Sequence, residues 1–285
     1  MRLFSYILAM NLSRFQKLWI SSWQYTSFLF PKMTSKWARQ LFLTPERIQR
    51  PISEINYFNS AKKYTLDDRI AAFEWGESNN PLVILVHGWS GRGTQMAAFA
   101  DPLVRSGFRV VAVDGPAHGD SVGKFTHVGE YSQFLIDIQK TLGPYKAIIA
   151  HSFGAGCSVL AASRGLNVEK LILVAGPSRY ELVVENYLKA IKISARSRQY
   201  FLDELTDLVK LPVSKMNVGV IGNSLSIPGM VVHDHGDKEV PFRAAEDIKK
   251  NWPAIHLMMT KELGHRRILK DPTVVNAVKD FILKD

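Results

Sequence analysis

Cysteine is almost absent from this chain: Cys157 is the only one among 285 residues. A single cysteine cannot form an intrachain disulfide, so the fold does not depend on an oxidising compartment. The sequence also lacks a fixed-period repeat and any grouping of cysteine and histidine at zinc-ligand spacing. Hydrophobic residues make up 46% and charged residues 22% of the chain. That composition is ordinary for a globular protein, and the length predicts one large domain or one domain with an insertion.

Acidic residues are scarce in the first fifty positions, where Glu46 is the only one and eight residues are basic. This segment therefore carries +7 of the chain's net charge of +10 at pH 7. It also holds ten of the thirty aromatic residues. The rest of the chain is nearly neutral, so a nucleic-acid interpretation of the basic composition would depend on this extension alone. We predict no nucleic-acid partner.

Residues 1–50 are predicted to form a helical extension. Large apolar residues recur at spacings of three and four along its first half, at Phe4, Leu8, Leu12, Phe15, Trp19 and Trp23. Pro31 interrupts the pattern, and a second helical stretch is predicted over Lys32–Leu43. The apolar run Leu3–Met10 is too short to span a bilayer, and no signal-peptide cleavage site follows it.

Two interpretations of this extension stay open. In the first, residues 1–45 are an amphipathic anchor that binds an anionic membrane through their basic and apolar side chains. In the second, they are a helical arm packed against the main domain or a partner subunit, because stripes of Trp and Phe more often form packing surfaces. We predict a cytoplasmic protein, associated with a membrane only in the first case.

From residue 51 onward, apolar strands alternate with amphipathic helices. The strands are predicted at Ile70–Trp75, Leu82–Val86, Phe108–Val113, Ala147–Ala150, Leu171–Val174, Gly229–Val232 and Ile255–Met259. The helices are predicted at Thr94–Ser106, Glu130–Leu142, Phe153–Arg164, Ala244–Asn251 and Pro272–Leu283. This alternation with short connections predicts an α/β fold with a mostly parallel sheet flanked by helices, built from residues 51–176 and 229–285.

The alternation is interrupted between residues 177 and 228. Two helical stretches, Tyr180–Ile193 and Arg196–Leu208, follow each other there without a strand between them. A structureless loop of that length is improbable in a compact domain. We therefore predict that residues 177–228 form a helical cap inserted into the α/β core.

A serine lies where a strand is predicted to become a helix, in the sequence Ala150-His151-Ser152-Phe153-Gly154. A serine on such a sharp turn exposes its hydroxyl above the sheet, and the turn requires small residues two positions before and after it. Ala150 and Gly154 meet that requirement. The pentapeptide alone is equally typical of a serine that caps a helix N-terminus, so the assignment of Ser152 as a nucleophile depends on the rest of the chain.

An acyl-transfer serine needs a histidine base and an acid that orients it, and both follow later strands in the expected order. His265 comes after the last predicted strand, and Asp237 after the strand before it. The carboxyl ends of parallel strands lie at one edge of a sheet, so we expect Ser152, Asp237 and His265 to converge there. Asp234 and Glu239 are close enough in sequence to compete for the acid's role.

The loop after the strand Leu82–Val86 is predicted to supply an oxyanion-binding group. It begins His87-Gly88-Trp89, and Gly88 permits a tight backbone turn there. We assign the backbone N–H groups of Trp89 and Phe153 to the oxyanion hole, and we place His87 and Gly88 in contact with the substrate.

Three motifs in this order resemble the α/β-hydrolase family. They are His87-Gly88-Trp89, the turn Asp114-Gly115-Pro116-Ala117-His118-Gly119-Asp120-Ser121, and the serine pentapeptide. The resemblance extends from about residue 65 to the C-terminus. It implies Ser152 as nucleophile, His265 as base and Asp237 as orienting acid, with neither a metal nor an organic cofactor. The chain departs from the family at Ala150, where glycine is usual, and at Ala117-His118, where the family usually has glycine followed by a variable residue.

The predicted function is the hydrolysis of a small-molecule carboxylic ester through an acyl-enzyme. The same three residues serve in lipases, thioesterases, lactonases and C–C bond hydrolases, so those activities stay open, because a fold does not fix a substrate. A binding protein that has the fold without the activity is the alternative from a different class.

Overall fold

The computed structural model describes residues 14–284, with side chains from residue 22 onward. The chain divides into two compact units, which we name the helical unit and the sheet unit. The helical unit comprises the residues up to Thr44 and Arg179–Met216, and the sheet unit comprises Pro45–Ser178 and Asn217–Asp285.

The sheet unit is built on eight strands. They are β1 (Lys62–Leu66), β2 (Ile70–Trp75), β3 (Leu82–Val86), β4 (Arg109–Val113), β5 (Tyr145–His151), β6 (Leu171–Val174), β7 (Gly229–Asp234) and β8 (His256–Thr260). Their order in the sheet is β1-β2-β4-β3-β5-β6-β7-β8. The strands from β4 to β8 pair in parallel. Every residue of β3 and β6 is buried, as expected for strands covered on both faces. The predicted α/β fold with a mostly parallel sheet is confirmed.

The sheet begins with an antiparallel pair that the sequence pattern did not predict in full. Strand β1 pairs with β2, and β2 pairs antiparallel with β4. Strand β1 is an edge strand with two exposed lysines at its start, Lys62 and Lys63, so it lacks the apolar run that marks the inner strands. Such charged residues are typical of sheet edges, where they discourage pairing with another chain.

Nine helical segments accompany the described part of the sheet unit. They are α3 (Ile52–Ser60), a 3-10 helix (Gly93–Phe99), α4 (Ala100–Arg105), α5 (Val128–Leu142), α6 (Phe153–Ser163), α9 (Val218–Asn223), α10 (Arg243–Asn251), α11 (Gly264–Arg267) and α12 (Pro272–Leu283). The helix predicted over Thr94–Ser106 is present as two segments, the 3-10 helix followed directly by α4. Pro102 explains the division, because proline is tolerated in the first turn of an α-helix but not in its interior.

The helical unit contains α1 (Arg14–Leu29), α2 (Pro31–Leu43), α7 (Tyr180–Ile191), α8 (Ala195–Val209) and a short 3-10 helix (Val213–Lys215). Pro31 is the first residue of α2, a position where its missing N–H costs nothing. The break predicted at Pro31 is confirmed. The predicted helical stripe falls mostly on residues outside those described, since only Trp23 of its six members has a described side chain.

Helices α2, α7 and α8 share one small hydrophobic core. Its buried residues are Ala38, Leu43, Val184, Tyr187, Leu188, Ile191, Phe201 and Leu205. Polar contacts join the same elements: the Tyr187 hydroxyl donates to the carbonyl of Ala38 at 2.6 Å. Helix α1 is attached through Ser27, whose carbonyl accepts from the Ser194 hydroxyl at 2.8 Å. One face of the N-terminal extension therefore packs on the helices predicted to form the cap.

The two compact units divide the chain at other places than the predicted domains. Residues 45–50 and 217–228 group with the sheet unit, whereas the predictions placed them in the extension and in the cap. Within the described residues, Ala38 and Leu43 of the extension share a core with α7 and α8, which explains why α2 groups with those helices. The role of the inserted helices as a cap stays a prediction. Between residues 14 and 284, no helix is both long enough and apolar enough to cross a membrane.

Phe201 tests whether the helical unit has a core that matters for stability. Its fully buried ring contacts the rings of Phe42 and Tyr187 at centroid distances of 5.6 and 5.8 Å. Removing a buried aromatic ring typically costs about 3–5 kcal/mol, so Phe201→Ala should lower the free energy of unfolding by that amount in urea titrations followed by circular dichroism. Leu208→Ala, at an exposed position of the same helix, is the control. Equal stability of the two variants would contradict the packing described.

Candidate functional site

The predicted nucleophile lies in a strained turn between β5 and α6. Ser152 has φ 51° and ψ −119°, a backbone conformation that residues with a side chain rarely adopt. Two backbone hydrogen bonds hold it there. Its N–H donates to the carbonyl of Val174 at 2.9 Å, and its carbonyl accepts from the N–H of Ala155 at 3.0 Å. The turn is thus tied to strand β6 on one side and to the first turn of α6 on the other.

Glycine is required on two sides of this turn because the backbones approach closely. A Cβ on Gly88 would lie 2.9 Å from the Cβ of Ser152, and a Cβ on Gly154 would lie 2.6 Å from the carbonyl oxygen of His87. Both distances are shorter than real Cβ contacts. The small residues expected around a nucleophile turn are therefore explained by contact with the loop that follows β3.

The side chains of Ser152, His265 and Asp237 form one chain of hydrogen bonds. The Nε2 atom of His265 lies 3.0 Å from the Ser152 hydroxyl, and its Nδ1 atom lies 2.7 Å from Asp237 Oδ2. Because a carboxylate oxygen only accepts, Nδ1 carries the proton and Nε2 is left to accept from the serine hydroxyl. All three residues are buried. The structure thus brings together the three residues that the sequence selected.

Asp237 is held in its charged form. Its Oδ1 atom accepts from the backbone N–H groups of Glu239 at 2.8 Å and Val240 at 2.9 Å. Burial alone would raise the pKa of Asp237, but hydrogen bonding to His233 and His265 and the backbone outweighs it and holds this pKa below its usual range. A charged Asp237 fixes the proton on Nδ1 of His265 and stabilises positive charge on that ring.

The two competing acids are engaged elsewhere. Asp234 Oδ2 accepts from the Thr260 hydroxyl at 2.7 Å and from the N–H of Leu263 at 3.0 Å. These bonds and others from the backbone hold the pKa of Asp234 below its usual value against the effect of burial. Glu239 forms an ion pair with Arg266 at 3.0 Å. Asp234 therefore closes the loop between β8 and α11.

Two histidines to which the sequence assigned no catalytic role support the hydrogen-bonded chain of Ser152, His265 and Asp237. His233 Nε2 donates to the carbonyl of Val240 at 2.9 Å and lies 3.4 Å from Asp237 Oδ2. His151 Nε2 donates to the carbonyl of His265 at 2.9 Å. Burial lowers the pKa of His151 far below its usual value, so this ring is neutral and acts as a donor to the His265 backbone. Their signal in the sequence is only that each immediately precedes a loop of the site.

The residues predicted to form the oxyanion hole are neighbours. Phe153 is the first residue of α6, where backbone N–H groups point away from the helix. The indole of Trp89 lies edge-on to the Phe153 ring at a centroid distance of 5.1 Å. The loop that carries Trp89 is closed by a hydrogen bond from the N–H of Gly91 to the carbonyl of Gly88 at 2.9 Å.

The ring of His87 supports this loop, and contact of His87 with the substrate stays a prediction. The ring is fully buried, and both of its nitrogens have protein partners. Nδ1 donates to the carbonyl of Gly88 at 2.7 Å, and Nε2 accepts from the N–H of Gly115 at 2.8 Å. Burial holds the pKa of His87 well below its usual value, so the ring stays neutral. Contact of Gly88 with the substrate stays a prediction.

The oxyanion loop is anchored by a buried ion pair that the sequence analysis missed. The Arg92 guanidinium binds the Glu54 carboxylate through two hydrogen bonds of 2.8 and 3.1 Å, and both side chains are buried. The hydroxyl of Thr94 donates to the same carboxylate at 2.6 Å. Glu54 belongs to residues 46–54, a segment that we name the strap. No periodicity marks the strap in the sequence.

The strap also holds the turn Asp114–Ser121. Arg50 forms an ion pair with Asp120 at 2.9 Å, and Arg47 Nη1 donates to the carbonyl of Gly119 at 2.6 Å. Asp114 closes the turn from within, because its carboxylate accepts from the N–H groups of Gly93 at 2.6 Å and Asp120 at 2.7 Å. Burial raises the pKa of Asp114 to about 6 despite these bonds.

No group of three or more His, Cys, Asp or Glu residues in the described part of the chain is placed to hold a metal ion. The ionisable side chains of the site are instead paired with each other or with backbone groups.

Known proteins resemble this chain in sequence and in fold. A family model described as serine aminopeptidase, S33, matches residues 77–217. Monoacylglycerol lipase of Mycolicibacterium smegmatis is 25% identical over 72% of this chain and 91% of the lipase. The structure of the Pyrococcus furiosus esterase Pf2001 superposes with a TM-score of 0.62 at 21% identity, covering 84% of this chain and 98% of the esterase. The chain belongs to the α/β-hydrolase superfamily.

The likeness of this α/β hydrolase to its relatives is limited in extent. Human protein ABHD12B is 25% identical over 72% of this chain, but the match spans only 61% of the human protein. The family model ends at residue 217, so it includes Ser152 and neither Asp237 nor His265.

Glu54 tests whether the strap positions the oxyanion loop of this α/β hydrolase. Glu54→Gln leaves the buried charge of Arg92 without its carboxylate, which typically costs about 3–5 kcal/mol of stability. We expect kcat for a p-nitrophenyl ester to fall by up to about 100-fold with a smaller change in KM, because a displaced Trp89 N–H weakens transition-state binding. Glu46→Gln is the control, since only the backbone of Glu46 binds Ser90. An unchanged kcat in the folded variant would contradict this role.

The two aspartates separate the orienting acid from the loop-closing one. Asp237→Asn should lower kcat by about 10⁴ because His265 then favours the wrong tautomer. Asp234→Asn should leave most of the activity. Its main effect is on stability: the pKa of Asp234 is lowered by folding, so its contribution is present at neutral pH and lost as the pH falls below about 4. Chemical denaturation from pH 7 to pH 3 should therefore show a flatter acid dependence for Asp234→Asn than for the wild type. A loss of kcat as large as that of Asp237→Asn would contradict the assignment.

Proposed function

We propose that this α/β hydrolase is a serine hydrolase that cleaves carboxylic esters through an acyl-enzyme. One observation carries the proposal: His265 lies within hydrogen-bond distance of both the Ser152 hydroxyl, at 3.0 Å, and the Asp237 carboxylate, at 2.7 Å. A serine, a histidine and an acid connected in this order are the groups that acyl transfer requires.

In the proposed first step, the Ser152 oxygen attacks the ester carbonyl while His265 Nε2 takes the hydroxyl proton. The carbonyl π electrons move to the oxygen, and the N–H groups of Trp89 and Phe153 stabilise the resulting oxyanion. The tetrahedral intermediate then collapses. The bond to the alcohol oxygen breaks, that oxygen takes the proton from His265, and the acyl group remains on Ser152.

In the second step, water replaces the alcohol. His265 takes a proton from the water as its oxygen attacks the acyl carbonyl, and the second tetrahedral intermediate expels Ser152, which recovers that proton. Asp237 does not exchange a proton in either step, since its low pKa keeps it charged while it stabilises the imidazolium form of His265.

An oxygen ester is the proposed substrate class because two of the similar proteins are described as a monoacylglycerol lipase and an esterase. The description of the matching family as a serine aminopeptidase makes an amide the competing class. The triad serves both, so the leaving group has to be settled by measurement.

The purified protein should hydrolyse p-nitrophenyl esters and not aminoacyl p-nitroanilides. A series from acetate to palmitate, read as kcat/KM at 405 nm, gives the preferred acyl length.

Ser152→Ala should lower kcat by about 10⁶, since a triad that lacks its nucleophile retains little catalysis. Ser163→Ala, at the end of the same helix, is the matched control and should retain full activity. Faster hydrolysis of the anilides would contradict the ester proposal, and equal rates for Ser152→Ala and the wild type would contradict the nucleophile.

A further inference from the structure

Helices α1 and α2 expose a continuous set of large apolar side chains, which we name the apolar patch. Its members are Tyr25, Phe28, Leu29, Phe30, Met33 and Trp37. Tyr25, Phe28 and Leu29 are 75%, 72% and 73% exposed. Large apolar side chains that pack in a protein interior are mostly buried, so these three are not packed. Soluble surfaces rarely leave large apolar residues together in this way without a binding role.

The apolar patch follows one side of both helices. Tyr25, Phe28 and Leu29 recur at spacings of three and four on α1, and Met33 and Trp37 are four residues apart on α2, so each set shares a face. Phe30 is the single residue between the two helices. The patch therefore continues from one helix to the next.

The opposite side of the same helices is already occupied. Ser27 on α1 is buried and bonds Ser194, while Ala38 and Leu43 on α2 belong to the core of the helical unit. Because this packing uses the other face, the apolar patch is not the surface on which the extension rests against α7 and α8. Packing on α7 and α8 thus accounts for one face of these helices and leaves the apolar patch exposed.

Charge indicates what covers the apolar patch. Between residues 14 and 44 the sequence has five basic residues and no acidic residue. Lys32 and Lys36 are exposed beside the patch and have no carboxylate partner among the described residues, although Lys32 Nζ also lies 5.5 Å from the centre of the Tyr200 ring, whereas Arg39 is paired with Glu204 at 2.7 Å. A symmetric contact with a second copy would bring two copies of this basic surface together, which like-charge repulsion disfavours. An anionic surface satisfies them instead.

We propose that the apolar patch docks this protein on an anionic lipid bilayer. The aromatic and aliphatic side chains enter the boundary between headgroups and acyl chains, and Lys32 and Lys36 contact the lipid phosphates. The helices lie along the surface in this arrangement. The inference is independent of the triad, because vesicle binding does not require turnover.

Sedimentation with vesicles tests the proposal on the full-length protein. The wild type should bind phosphatidylcholine vesicles that contain 30% phosphatidylglycerol at least tenfold more strongly than pure phosphatidylcholine vesicles. The triple variant Phe28→Ser, Leu29→Ser, Trp37→Ser should lose at least tenfold in the partition coefficient. The matched control replaces three exposed apolar residues of the sheet unit, Phe125→Ser, Val220→Ser and Leu283→Ser. That control should bind as the wild type does.

A second pair of variants keeps every apolar side chain. Lys32→Glu with Lys36→Glu should also weaken binding to the anionic vesicles at least tenfold, while Lys189→Glu with Lys250→Glu should change it little. This pair tests the proposal even where the serine variant fails to fold, which circular dichroism shows. Absence of vesicle binding by the wild type, equal binding to neutral vesicles, or a wild-type dimer that the serine variant dissociates would each overturn the proposal.

Discussion

The site depends on one constraint: the backbone at Ser152 must hold a positive φ at the point where β5 becomes α6. That conformation is costly for a serine, so it persists only because its surroundings determine it. Gly88 and Gly154 lack a Cβ, so the backbones of the turn and of the loop after β3 can approach each other closely. The carbonyl of Val174 accepts the N–H of Ser152. The parallel sheet then supplies the other groups, since Trp89, Asp237 and His265 all follow carboxyl ends of its strands.

The loops that follow the strands lack the regular backbone hydrogen bonds of a sheet. In this structure, hydrogen bonds and ion pairs of buried polar side chains hold the loops in position. The ion pair between Arg92 and Glu54 connects the loop after β3 to the strap. The Asp114 carboxylate, in the turn after β4, accepts a hydrogen bond from the backbone N–H of Gly93. Asp234 does the same after β8. Each of these groups is fully partnered in the interior, where an unpaired charge would be destabilising. The geometry of the site is thus maintained by residues outside the hydrogen-bonded chain of Ser152, His265 and Asp237.

The sequence predicted the inner strands and the three residues of the hydrogen-bonded chain well, for a physical reason. Buried parallel strands are continuous apolar runs, and a nucleophile turn demands small residues at fixed positions, so both leave strong local signals. Ala117, at φ 64°, explains why glycine is usual at its position in the family. The contacts of the strap and of His151 could not be predicted, because they join residues far apart in the chain. The bond from the Gly115 N–H to His87 could not be predicted for the same reason, because it joins two different loops.

The central claim is that Ser152 is a nucleophile activated by its position, and covalent labelling tests it most directly. A fluorophosphonate probe reacts with a serine only when a base and an oxyanion site are assembled around it. Digestion and mass spectrometry of the treated wild type should place one phosphonate on the peptide that contains Ser152, and none on Ser152→Ala. Labelling at another serine, or no labelling of the folded wild type, would contradict the account.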